Sequence, residues 1–145
     1  MIETINYWDE KAFLWLNSFH LEVLDPVVLQ LTQTITWIPL YVLLLYLIYR
    51  IDPKNTLWIL GGVMLTILLA DQVSSGLMKP YFERLRPCHD PRWEGMMHVY
   101  GRCGGSYGFV SSHAANTFGL ATFLTLKLGK KQKAIAWLFL YALVV

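Results

Sequence analysis

The stretch that decides the fold is LWILGGVMLTILLADQVSSGLM, Leu57 to Met78, apolar throughout except for a polar patch that begins at Asp71. A helix of about 20 apolar residues crosses the hydrocarbon of a bilayer, so this stretch reads as a membrane span. Upstream, a second apolar run reaches from Pro26 to Tyr49 and is interrupted by Pro39. Either one kinked helix begins at Pro26, with Asp25 as its cap, or a short lead-in precedes a span beginning near Trp37. Trp37 and Tyr41 at one end, with Tyr46 and Tyr49 at the other, fit two aromatic belts. Downstream, a third span is expected from Phe109 to Leu128, and a fourth begins at Ala134. Twelve residues remain from there to Val145, roughly 18 Å of helix against about 30 Å of hydrocarbon. The fourth helix is therefore expected to be cut short.

Composition agrees. The 145 residues are 55% hydrophobic and 15% charged, against about 25% charged in soluble domains, and the surplus falls in blocks. This excludes disordered, collagenous and nucleic-acid-coating classes, and a net charge of +2 is too small to argue for a polyanionic partner. Met1 to Glu10 holds three acids and no base, the reverse of a signal peptide's first region. Trp8, Ala12, Trp15, Leu16 and Phe19 share one helical face, with Asp9, Glu10, Asn17 and His20 elsewhere. Such a helix lies in the headgroup region or packs on the protein's own bundle. The fold expected is a single all-α domain over residues 1–145, an integral membrane helical bundle incomplete at its C-terminus. It has an N-terminal interfacial amphipathic helix, three complete transmembrane helices and a truncated fourth.

Arg50 and Lys54 in one short turn, and Lys127, Lys130, Lys131 and Lys133 in the other, place both turns on the cytoplasmic side. The loop from Lys79 to Gly108 then lies outside, yet it holds Lys79, Arg84, Arg86, Arg92 and Arg102. Basic residues kept on that side call for a task. Lys79 and Arg86 are seven apart, and a helix from Pro80 to Arg86 would turn them to one side, facing one anion. The bland alternative is a basic collar snorkelling to headgroups. Gly104-Gly-Ser-Tyr-Gly108 leads into Ser111-Ser112-His113 and an apolar helix. A serine there caps the helix, the freed N–H groups suit an anion, and His113 on the first turn suits general acid or base chemistry. Taken singly, these residues read as capping serines and a satisfied interfacial histidine. Ala115-x-x-x-Gly119 permits close helix packing.

Together, Lys79-x6-Arg86-Pro87 and Ser111-Ser112-His113 resemble the first two signatures of the type-2 phosphatidic acid phosphatases. These are membrane lipid phosphatases related to the vanadium haloperoxidases. The resemblance covers roughly Leu57 to Leu128. Val110 stands where the family has proline and Ser112 where it has glycine, and the third signature, Ser-Arg-x5-His-x3-Asp, does not occur in residues 1–145. The resemblance implies that Lys79, Arg86, Ser111 and the Ser112 backbone N–H bind phosphate and that His113 protonates the leaving group. It implies hydrolysis of lipid phosphate or pyrophosphate monoesters through a phosphohistidine, with no metal or other cofactor. The partners are then a lipid substrate and the bilayer, not nucleic acid. The location expected is the bacterial inner membrane, with the site toward the periplasm or exterior. As it stands the chain would lack its nucleophile and be inactive. The reading from a different class is a non-catalytic membrane protein that binds anionic headgroups.

Asp71 inside a span costs about 2.5–3.5 kcal/mol on insertion scales. It is therefore expected to face the bundle, with Ser74, Ser75 or a basic residue of the site as partner, or to stay protonated and hydrogen-bonded. Cys88 and Cys103 share the loop, and the favoured reading is a disulfide closing about 16 residues, worth roughly 3 kcal/mol. Zinc on Cys88, His89, His98 and Cys103 is the rival, at spacings that match no common zinc motif. Glu83, Asp90 and Glu94 read as a solvated face.

Overall fold

A computed structural model describes residues 2–101 and 103–145. Its helices are α1 (Ile2–Asn17), α2 (Asp25–Leu31), α3 (Ile38–Ile51), α4 (Thr56–Asp71), α5 (Lys79–Phe82), α6 (Ser112–Leu128) and α7 (Leu138–Val144). Among the described residues there is no β-strand, only an isolated antiparallel bridge between Leu85 and Tyr107. The chain is all-helical, as its periodicity predicts.

Among the described residues, two helices are long and apolar enough to cross a membrane. One is Thr34–Ile51, in which a 3-10 turn leads directly into α3. The other is Thr56–Phe82, in which α4 runs through a wider π-helical segment, Gln72–Met78, into α5. The lead-in alternative is the one adopted. Pro26 opens the separate α2, and Pro39 sits in the first turn of α3, where its missing N–H costs nothing. Asp25 does not cap α2; its carboxylate turns instead to His98. The helix expected from Phe109 begins only at Ser112 and spans 17 residues. On length and apolarity alone, then, the described residues hold two candidate spans, and a third complete span is not confirmed.

The core lies where α3, α4, α6 and the C-terminal helix converge, and it includes Leu44, Ile48, Ile59, Leu120, Leu124, Leu128 and Leu138. The α4–α6 approach is close because small residues line it. A Cβ at Gly119 would stand 3.2 Å from Thr66 Cγ2, and one at Gly62 would stand 2.2 Å from the end of the Phe123 ring. The outer faces of the long helices are apolar but uncovered, with Leu57 and Trp58 more than 80% exposed. Uncovered apolar surface on this scale suits lipid rather than water as the surrounding medium.

At one end of the bundle the two short turns are joined by Lys131, which donates to Asp52. That bond holds the Asp52 carboxyl below its ordinary pKa. At the other end α1 docks on the long loop. Arg84 pairs with Asp9, Arg92 with Glu10 at 3.0 Å, and Phe13 meets Trp93 edge-to-face. Asn17 clamps the His98 backbone, donating to its carbonyl at 3.0 Å and accepting from its N–H at 2.7 Å. The residues expected on the polar side of α1 thus grip the protein, while Trp8 and Trp15 face outward, 66% and 62% exposed.

Candidate functional site

The helical route from Lys79 to Arg86 is not the one the chain takes. α5 stops at Phe82, because Glu83 adopts a left-handed conformation (φ 45°), a common way to end a helix. The chain then extends: Gly108 N–H donates to Arg84 O at 2.9 Å, and Arg86 N–H donates to Ser106 O at 2.9 Å. Arg86 is brought to Lys79 by this pairing of loop segments, not by helix periodicity. Its guanidinium is seated by Tyr107, whose carbonyl accepts from Nε at 3.2 Å. Two glycines make room for it. A Cβ at Gly104 would stand 2.8 Å from Arg86 Nη1, and one at Gly108 3.1 Å from its Cγ.

Lys79 and Arg86, both half-buried, line one cleft of about 610 Å³ together with Ser111, Ser112 and His113. All five predicted site residues therefore share one space. Ser111 is the cap of α6, its hydroxyl accepting from Ala114 N–H at 3.3 Å. Ser112 Oγ accepts from Lys79 Nζ at 2.8 Å. An anion here would meet two cations and the first N–H groups of a 17-residue helix, a combination that favours negative charge.

The loop's basic residues divide by task. Arg84 and Arg92 spend their charge on α1 and on Asp90, whose carboxyl the Arg92 guanidinium holds below its ordinary value. Lys79 and Arg86 face the cleft. Arg102 lies outside the described residues.

Cys88 and Cys103 are joined, with Cα atoms 6.4 Å apart, and tie the two sides of the cleft wall. Cys88, His89 and Cys103 stand close enough to share an ion, but the disulfide occupies both sulfurs. His89 Nε2 contacts Gly104 O at 2.9 Å, and His98, the fourth member of the zinc reading, pairs with Asp25 at 2.7 Å and stacks on His20. Asp90 is paired, while Glu83 and Glu94 are exposed.

Behind the cleft lies an apolar groove of about 470 Å³, lined from α3, α4, α6 and α7 by residues such as Leu44, Val63, Leu120 and Tyr141. His113 lines both spaces. Asn116, one turn further along α6, also faces the groove, and its side-chain oxygen is buried with no partner among the described residues. Sequence reasoning missed the groove, the Asn17 clamp and the seat that Gly104 and Gly108 make for Arg86. The glycine-rich run was the one visible signal for that seat; nothing in the sequence pairs residue 17 with residue 98.

Two cations, a capped helix start and a histidine thus line one cleft of an all-helical chain, and the histidine also lines an apolar groove. The family model described as the PAP2 superfamily matches residues 55–145, and the chain belongs to that superfamily. It is 38% identical to the lipid A 4'-phosphatase of Porphyromonas gingivalis over 117 residues, covering 79% of this chain and 50% of that protein. It is 35% identical to the lipid A 4'-phosphatase of Bacteroides thetaiotaomicron over 138 residues, covering 93% of this chain and 61% of that protein. The chain thus spans one half to about three-fifths of the length of these relatives. No solved structure matches it.

Proposed function

We propose that this chain is the phosphate-binding part of a membrane lipid phosphatase whose substrate class is a phosphate monoester of lipid A. One observation carries the reading: Lys79, Arg86, Ser111, Ser112 and His113 line a single cleft. That cleft meets an apolar groove at His113, and a lipid phosphate has parts suited to both. The relatives' names support the substrate class.

In this reading Lys79 and Arg86 hold the phosphate oxygens, with Ser111 and the Ser112 N–H beside them, and stabilise charge as it builds on the phosphorus. His113 gives its proton to the leaving oxygen as a phosphohistidine forms on a second histidine, a route that calls for no metal. The nucleophile's signature does not occur in residues 1–145, so the reading assigns it to the part of the relatives' length that this chain does not span. The loop end faces the periplasm, α1 rests in the headgroup layer on its tryptophans, α6 forms a third span and α7 belongs to a fourth.

The test is release of inorganic phosphate from lipid A by the full-length protein, with EDTA present. His113→Ala is expected to reduce the rate by at least about 100-fold. Undiminished release from that variant would remove His113 from its role, and dependence on a metal would overturn the route.

A further inference from the structure

Ser112 does more in this structure than offer a backbone N–H. Its hydroxyl lies 2.8 Å from Lys79 Nζ and 2.7 Å from Ser75 Oγ, and Ser75 Oγ lies 3.3 Å from Asp71 Oδ1. The proton order in this chain is set by chemistry. An ammonium can only donate, so Lys79 donates to Ser112; Ser75 donates its one proton to Asp71, which leaves Ser112 as the donor between the two hydroxyls. Two hydroxyls thus connect a cation of the cleft to the carboxylate within the Thr56–Phe82 helix. Ser75 sits in the π-helical segment Gln72–Met78, a kind of segment that recurs at functional sites.

We propose that Ser112 is a positioning residue: its hydroxyl, braced through Ser75 on Asp71, fixes the Lys79 ammonium where the phosphate arrives. One N–H of Lys79 is committed to the brace and two remain for the anion. Asp71 is thereby given a task and a partner, which an acid within a span requires. Glycine, which the resembling signature carries at this place, has no hydroxyl and could not form the link. The inference rests on the cleft being a phosphate site, as proposed above.

The test measures affinity for inorganic phosphate by titration of the full-length protein in detergent micelles, with thermal melts to confirm folding. Ser112→Ala, at a helix position that alanine favours, is expected to weaken binding about five- to tenfold, while Ser112→Thr keeps the hydroxyl and stays within about twofold of the parent. Ser75→Ala alone should weaken binding as well, yet add almost nothing on top of Ser112→Ala, because both cut one chain. Equal affinity in Ser112→Ala and the parent, or losses at Ser75 and Ser112 that multiply, would overturn the brace. Arg86→Ala, outside the brace, separates the two readings. If it loses binding while the serine variants do not, only the brace fails. If neither the parent nor any variant binds phosphate, the cleft reading falls and the brace falls with it.

Discussion

The two spaces that meet at His113 are walled by different means. The apolar groove is bounded by helices that pack through neighbouring turns, with Leu44, Leu120 and Leu124 in its walls and small residues setting the α4–α6 approach. The polar cleft is bounded by the starts of α5 and α6 and by a loop with little regular structure, which is held by ties between residues far apart in sequence. These are the Cys88–Cys103 bridge, the Arg84 and Arg92 pairs to α1, and the Asn17 clamp on His98. The groove's shape therefore follows from patterned burial, which is spread over many residues. The cleft's shape hangs on a few side chains, each of which can be removed alone. Arg86, one of the two cations of the cleft, is thus placed by the less redundant half of the molecule.

Breaking the bridge tests that contrast most severely. Cys88→Ser is expected to cost about 3 kcal/mol of local stability, from the entropy of a closed loop of about 16 residues. The loss should be confined to the cleft side. Hydrogen exchange is expected to quicken from residues 84 to 108 while α4 and α6 keep their protection. Uniform quickening through α4 and α6 would show that the two walls are one cooperative unit.

A subtler change sharpens the comparison from the other side. Val63 lines the groove from α4, away from the cations. Val63→Trp should fill groove space and raise the KM for a long-chain lipid phosphate about tenfold, an effect of roughly 1.4 kcal/mol. Hydrolysis of a short, soluble phosphate ester by the same variant should be unchanged. Equal losses on both substrates would mean that groove and cleft do not act separately.

The same division explains what could be read beforehand. The long helices, a small residue at 119 on the α4–α6 contact and a serine cap at 111 or 112 follow from periodicity and local chemistry, so they are legible in residues 57–78 and 111–119. The spacing of Lys79 and Arg86 predicts a helix that joins them, whereas α5 ends at Phe82. Arg86 is placed by a pairing with residues 106–108, and α1 is placed by contacts that span 75 to 82 positions. Such contacts leave no periodic mark. Asp25 illustrates the limit well: beside Pro26 it has every local feature of a cap, and a histidine 73 residues away takes it.

The smallest effect expected is at the opposite end of the bundle, where Asp52 and Lys131 join the two short turns. The bond from Lys131 is the chief cause that lowers the Asp52 carboxyl below its ordinary value of 3.8. A depressed carboxylate contributes stability that is fully present above that ordinary value and fades as pH falls through the folded one. Acidification below about pH 4 should therefore loosen the turns, seen as faster exchange at the amides of residues 129–132. Asp52→Asn should abolish that acid dependence while leaving phosphate affinity at neutral pH untouched. Lys131 is exposed and Asp52 half-buried, and ion pairs at the surface contribute little, so a large loss of stability in Asp52→Asn would mean that the turns brace the bundle more than such pairs usually do. Unchanged phosphate affinity is the more telling result. It would place the turn end outside the function altogether, and leave the cleft dependent on the loop, the bridge and α1.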